Sequence, residues 1–179
     1  MKFGVDYNHH ILTPYQTSGN AGTTTISSTT VSTKYAHETA LFLLDDFDIT
    51  KWLKINIGLR GSMFNLVGPY RKVQFDDRGT AIDTLNYGLD QPIKTYFGFE
   101  PRIGARFKVA KATSIKAGFA MSSQYIHLVS NSATTLPIDL WVPSSLNIKP
   151  QRGTQVSLGV FQNFKDDMIE TSIEGYYKQ

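Results

Sequence analysis

Residues that could carry out catalysis are few and scattered in this sequence. The four histidines are His9, His10, His37 and His127. His9 and His10 are adjacent, so on a strand their side chains would point to opposite faces and could not share a metal ion. The sequence contains no nucleophile elbow, P-loop or dinucleotide-binding fingerprint. It therefore predicts a protein that is not an enzyme, holds no metal ion and needs no cofactor.

Charged residues form a more regular pattern. Residues 95–109 read TYFGFEPRIGARFKV, in which apolar side chains hold most odd positions while Glu100, Arg102, Arg106 and Lys108 hold even ones. Strict alternation over so many residues predicts a β-strand, because successive side chains point to opposite faces. Such a strand would have one apolar face and one charged face.

The same alternation recurs along the chain, and no long stretch has a helical period. The candidate strands are 2–12, 37–49, 53–66, 95–109, 113–125, 155–162 and 168–178. Tight turns are expected near 50–52, 110–112 and 163–167, and long links at 13–35, 66–94 and 128–152. In a meander all the long links would lie at one end, which is typical of outer-membrane barrels. The sequence predicts an all-β fold, an antiparallel up-and-down meander of about seven strands, in one unit over 1–179.

Two environments would explain strands with one apolar and one charged face. In a soluble β-sandwich the apolar face would pack in a core; in a membrane barrel it would face lipid, and the charged face would line a wet lumen. Candidate strands of up to 15 residues exceed the ~5–6 typical of soluble sheets and suit a membrane crossing. Aromatic residues near strand ends would suit an interfacial girdle: Tyr35, Phe47, Trp52, Tyr96, Phe97, Phe164, Tyr176 and Tyr177. We therefore favour part of a large transmembrane β-barrel.

Composition excludes some functions and leaves others open. The net charge of +3 is too small and too dispersed to indicate a nucleic-acid partner. The run ALFLL (40–44) is far shorter than the ~20 residues that a membrane-spanning helix needs. The N-terminal stretch MKFGVDYNHH lacks the apolar core of a signal peptide. Either the protein is not exported, or the chain is a piece of a longer precursor.

Several stretches resemble the barrel of TonB-dependent receptors, in the order that family has them. YFGFEPRIGARF (96–107) and SIKAGFAMSSQYIHLVSNS (114–132) resemble its strands, and ETALFLLDDFDITKWLKINIGLR (38–60) resembles one of its hairpins. NIKPQ (147–151) is similar to an Asn-x-Lys-Pro-Glu element, with Gln where Glu is common, and EGYYK (174–178) to a typical strand ending. The resemblance covers nearly the whole chain and is to receptors of the Bacteroidetes type.

This resemblance implies a protein of the bacterial outer membrane, surrounded by lipid. It would import a scarce nutrient, such as a siderophore, cobalamin, glycan or peptide, with energy from the TonB complex and in some cases with a surface lipoprotein as partner. Receptors of this kind have a plug domain and about 22 barrel strands. Seven strands would therefore be an arc from the C-terminal half of the barrel, without the plug. A soluble carbohydrate-binding module and a non-specific porin are the alternatives.

On this interpretation the charged face of the sheet lines the lumen. Pairing across the long link at 66–94 would bring Arg60 close to Glu100 and Arg102, and a tight turn would place Lys116 near Arg106. These residues predict a stripe of positive charge whose mutual repulsion Glu100 partly offsets. Such a stripe would suit contact with an acidic plug surface or with an anionic or polar substrate. A hydrated wall with incidental charge is the alternative.

The long links offer three candidates for contact with a ligand. Tyr125 and Trp141 could stack on a sugar or peptide, and Asp139 lies two residues before Trp141. Loop packing or an interfacial anchor is the alternative role for Trp141.

Overall fold

The strands alternate with turns and loops throughout the part of the chain that the computed structural model describes, namely residues 1–13, 19–21, 24–26, 32–129, 140–165 and 168–179. The strands are β1 (Lys2–Leu12), β2 (Gly19–Ala21), β3 (Thr24–Ile26), β4 (Lys34–Asp48), β5 (Leu53–Val67), β6 (Tyr70–Phe75), β7 (Ala81–Tyr87), β8 (Pro92–Lys108), β9 (Thr113–Gln124), β10 (Ile126–Val129), β11 (Leu140–Pro143), β12 (Gln151–Phe164) and β13 (Ile169–Lys178). Within these ranges, no helix is long and apolar enough to cross a bilayer.

Seven long strands form one antiparallel sheet in the order β1-β4-β5-β8-β9-β12-β13. Each strand pairs with the next long strand along the chain, so the sheet is an up-and-down meander. The predicted fold class is confirmed, and the seven observed strands correspond to the seven that alternation indicated. The structure extends several of them, most of all β12, which begins at Gln151 rather than at residue 155.

The six connections alternate between short and long, as predicted. Short turns join β4 to β5, β8 to β9 and β12 to β13, and the three long links all leave the opposite end of the sheet. Each long link contains a small hairpin, formed by β2–β3, β6–β7 and β10–β11. In β6–β7, Asp76 accepts backbone hydrogen bonds from Arg78 and Thr80, and Gly79 has a φ of 80° that favours glycine. We call the end with the long links the loop end, and the other the turn end.

The pairing register keeps the apolar residues on one face across all seven strands. Leu59, for example, lies opposite Leu43 on one side and Pro101 on the other, and Phe119 lies between Ile103 and Val156. This apolar face is open: Phe97, Phe99 and Leu158 are 70%, 66% and 60% exposed. A β-sandwich would require this row to be covered by a second layer, and no described segment seals it.

The other face, which we call the polar face, holds most of the charged residues and most of the buried ones that the structure describes. Phe64 is fully buried there, against Ala36, Leu66 and Tyr125. Two aromatic residues predicted for an interfacial girdle also lie on this face, since Tyr96 pairs with Phe64 and Tyr176 with Ser157. Their side chains therefore cannot contact lipid from the apolar face. Among the described residues, the hydrophobic cluster lies at the loop end of the polar face.

Candidate functional site: the polar face and the loop folded onto it

Arg60 lies at the centre of an acidic cluster that draws on four strands. It forms ion pairs with Asp6 of β1, with Glu38 of β4 (4.0 Å) and with Glu100 of β8 (3.8 Å). Arg60 and Glu100 are directly opposite each other in the register. His10 also lies 3.1 Å from Glu38. One guanidinium is thus shared by three carboxylates, an arrangement that suits its fork of five N–H donors.

Glu100 is the most buried member of this cluster, with a side chain only 7% exposed. Its Oε1 accepts a hydrogen bond from the Ser62 hydroxyl (3.1 Å), and its Oε2 faces the Arg60 Nε. A buried carboxylate requires such partners because removing its charge from water is costly. The cluster therefore depends on Arg60 for the charge balance of this part of the wall.

The remaining predicted lumen-lining residues lie toward the turn end and form a separate basic group. Arg106 is directly opposite Lys116, and Arg102 is opposite Gly58 and Ala120. Like charges that face each other are unfavourable. Here the Lys116 ammonium turns away and sits 3.7 Å from the centre of the Phe161 ring, a cation–π contact.

A pocket of about 570 Å³ opens beside this basic group. Its charged lining consists of Arg106, Lys108, Lys111, Lys116 and Glu170. The polar face is therefore divided into an acidic cluster around Arg60 and a basic group near the short turns. This differs from the single basic stripe expected from the sequence, because Asp6 and Glu38 reach Arg60 from strands outside the pairs considered there.

Tyr125 joins the β9–β12 link to the polar face. Its hydroxyl is 2.8 Å from Ser62 Oγ, and its ring stacks on Phe64 at 5.0 Å with an interplanar angle of 5°. Gly98 makes room for it, because a Cβ there would overlap the hydroxyl oxygens of Tyr125 and Ser62. Tyr125 is only 3% exposed, so it packs the loop and does not offer its ring to a ligand.

The segment that follows Tyr125 folds over the loop end of the polar face. The Ser144 amide donates to the Tyr125 carbonyl (2.7 Å), and the Tyr96 hydroxyl donates to the Ser145 carbonyl (2.6 Å). His127 adds a 3.1 Å contact with the Ser144 hydroxyl. Although β9 and β1 are at distant positions in the sheet, β11 contacts β1. The β10–β11 hairpin thus crosses the polar face instead of extending away from it.

A second pocket, of about 320 Å³, lies between this folded segment and the sheet, and we call it the loop-end pocket. Trp141, a candidate ligand-contact residue, lines it and is 52% exposed. The other candidate in this loop, Asp139, lies outside the described residues. The pocket is also lined by residues that the sequence did not single out, among them Lys34, Tyr70 and Lys72. The folding of the β9–β12 link over this end of the sheet brings Trp141 to the same pocket as these residues.

The histidines are dispersed as their spacing indicated. His9 stacks on His37 at 4.8 Å, while His10 is on the polar face with Glu38. His37 lies 3.6 Å from Asp90 of the β7–β8 link and 2.8 Å from the Tyr7 hydroxyl. Among the residues with described side chains, no group of three or more histidines and acids is arranged to hold a metal ion.

The chain from residue 2 to residue 179 matches the family described as TonB dependent receptor-like, beta-barrel. The protein belongs to the TonB-dependent receptor β-barrel family. No curated protein and no solved structure gives a significant match. As in other receptors of this family, the barrel wall lies in the bacterial outer membrane, with its apolar face toward lipid.

The dimensions of the receptor strands agree with this location. β8, with 17 residues, would be about 55 Å long at ~3.3 Å per residue. The hydrocarbon core is only about 30 Å thick, so even a tilted strand extends beyond it. The short turns then lie on the periplasmic side and the long links on the outer side, the usual arrangement in outer-membrane barrels.

Proposed function

We propose that this receptor takes up a scarce nutrient too large for porins, such as a siderophore, cobalamin, glycan or peptide, with energy transmitted by the TonB complex. Residues 1–179 would act as a single unit, an arc of the barrel wall. The unpaired outer edges of β1 and β13 support this, since hydrocarbon does not tolerate open backbone edges. Further strands and a plug domain would complete the barrel.

The observation that carries the proposal is the contrast between the two faces of one sheet. The apolar face leaves Phe97 and Phe99 largely exposed, while the polar face holds the Arg60 cluster and the inward-folded hairpin. A lipid-facing surface backed by a charged wall and an inward loop suits a receptor in which a ligand enters from outside. A surface lipoprotein would be a further partner if the nutrient is a glycan or a peptide.

The residues of the wall would have different roles in this receptor. Arg60 and Glu100 would hold the strands together in the wet interior, because their charges are mostly satisfied within the wall. Arg102, Arg106 and Lys116 would present positive charge to the plug or to a passing substrate. Trp141 and Asp139 would contact ligand at the outer end.

Uptake of labelled nutrients by whole cells tests the proposal. Cells that carry the receptor would accumulate one of the four nutrient classes, and deletion of its gene would remove that uptake at low external concentration. Loss of the TonB complex should abolish uptake to the same extent. Uptake that persists without the TonB complex would instead indicate passive diffusion and contradict the proposal.

A further inference from the structure

The loop-end pocket has the size of a small-molecule site. Its volume of about 320 Å³ is within the ~300–1,000 Å³ range of ligand pockets. Four parts of the chain enclose it: the loop ends of β1 and β4, those of β5 and β8, the base of the β6–β7 hairpin, and residues 140–148. Its location on the polar face, at the outer end, places it where an incoming ligand would arrive.

Among the described residues that line this pocket, the charge is entirely positive. The charged residues in this part of the lining are Lys34 and Lys72, and neither forms an ion pair with any described residue. The Lys34 ammonium is held by the Ser32 hydroxyl at 3.1 Å and lies 4.4 Å from the centre of the Tyr70 ring. A hydroxyl and an aromatic face fix the position of this ammonium without neutralising it.

The rest of the pocket is largely apolar. Trp141 is half exposed, and Leu146 and Ile148 are 38% and 39% exposed. All three line the same space as the two lysines. Large apolar side chains that remain open on an otherwise polar face would gain from contact with a compact apolar body.

We propose that the loop-end pocket binds a small amphipathic anion, an aromatic or aliphatic body that carries one carboxylate or phosphate group. The anionic group would lie between Lys34 and Lys72, and the apolar body would contact Trp141. The inference rests on the proposed function and names the class of group that the receptor recognises. A cation would find no counter-charge among the described lining residues.

Four naphthalene probes of matched shape test the charge preference. They are 2-naphthylacetate, 2-naphthyl phosphate, the neutral 2-naphthaleneethanol and the cationic 2-(2-naphthyl)ethylamine. Binding to the receptor purified in detergent would be measured by ligand-observed NMR, with competition between probes. We expect at least one of the two anions to bind about tenfold more tightly than the neutral probe or better. The amine should bind more weakly than the neutral probe. The better anion then identifies the acidic group.

Substitutions in the pocket localise the binding. Lys34→Gln and Lys72→Gln should each lower the affinity for the more tightly bound anion by about tenfold. Each should change the affinity for the neutral probe by less than twofold. Trp141→Ala should weaken both the anion and the neutral probe. Lys149→Gln is the matched control, because Lys149 follows the lining residue Ile148 in the chain but does not itself line the pocket. Heat-modifiable mobility in gels would show that each variant has folded.

Equal binding of the anionic and neutral probes, or anion binding that neither lysine substitution changes, would overturn the inference. So would a failure of both anions to bind the folded receptor. These outcomes are distinct from failure of the proposed function, which whole-cell uptake tests independently. If uptake depends on energy but the anions do not bind, anion binding by the pocket is refuted and the transport function stands. If an anion binds but uptake does not depend on energy, the transport function is refuted and anion binding stands.

Discussion

Introducing one arginine on the apolar face of β12 gives the sharpest test of which face of the sheet contacts lipid. Val156 is on that face, between Phe119 and Tyr177, and is 50% exposed. Its neighbour Gln155 is exposed on the polar face of the same strand. The substitutions Val156→Arg and Gln155→Arg therefore add the same charge at the same depth, on opposite faces.

The expected cost follows from where Val156 lies along its strand. It is the sixth of the 14 residues of β12, close to the middle and hence to the bilayer midplane. Arginine on the lipid face of a barrel at the midplane costs about 2–4 kcal/mol. Each 1.4 kcal/mol is a factor of about ten, so the folding equilibrium would shift by ~30-fold to ~700-fold. Gln155→Arg stays in the wet interior and should cost less than about 1 kcal/mol.

The assay is equilibrium folding of the receptor into lipid vesicles, with guanidinium as denaturant and heat-modifiable gel mobility as readout. Val156→Arg should lower the midpoint of the transition, while Gln155→Arg should leave it close to that of the parent receptor. If both variants had midpoints equal to the parent, the apolar face would not contact lipid, because exposed sites in water tolerate such changes within about 0.5 kcal/mol. A larger loss for Gln155→Arg than for Val156→Arg would mean that the two faces have been assigned the wrong way round.

The polar face provides further predictions. Arg60→Ala should destabilise the receptor by about 2 kcal/mol in the same vesicle assay, because it leaves three carboxylates without their shared cation. Adding Glu100→Gln to this variant should restore part of the lost stability. If the double variant instead lost the sum of the two single losses, Arg60 and Glu100 would not be coupled. Gly98→Ala should displace Tyr125 and increase protease cleavage within residues 126–143. The control Gly61→Ala, whose Cβ would meet nothing within 4 Å, should not increase cleavage. Equal cleavage of the two variants would show that Tyr125 does not hold this loop on the sheet. Tyr125→Phe should cost about 1 kcal/mol by losing one buried hydrogen bond, and an unchanged transition midpoint would show that the bond contributes nothing.

The strands and their faces could be predicted from the sequence because alternation is a local property. Phe97, Phe99 and Ile103 repeat every second residue, and that period alone places them on one side of a strand. The alternation of short turns and long links also follows directly from the spacing of the apolar rows. The direct pairing of Arg60 with Glu100 could be anticipated in the same way, since the two strands are neighbours in a meander.

Ion-pair partners that lie beyond the neighbouring strand are harder to predict from the sequence. Asp6 and Glu38 both occupy even positions on the charged face, so extending the register to the first two strands would have indicated them. The position of Asp90 beside His37 left no such signal, because Asp90 belongs to a link without a regular period. Long side chains such as that of Arg60 reach past one strand, and their choice of partner depends on charges that converge from several.

The sequence by itself thus determined an all-β meander with an apolar and a charged face, because a strand with a period of two has only two faces to fill. Tertiary structure decided where the long links go. Tyr125 is buried on Phe64, and the link that follows it places Trp141 in the same pocket as Lys34, although these residues are far apart in sequence and share no repeat. The fold of a link depends on which distant groups can satisfy its hydrogen bonds and cover its apolar atoms, and that information lies in the assembled sheet.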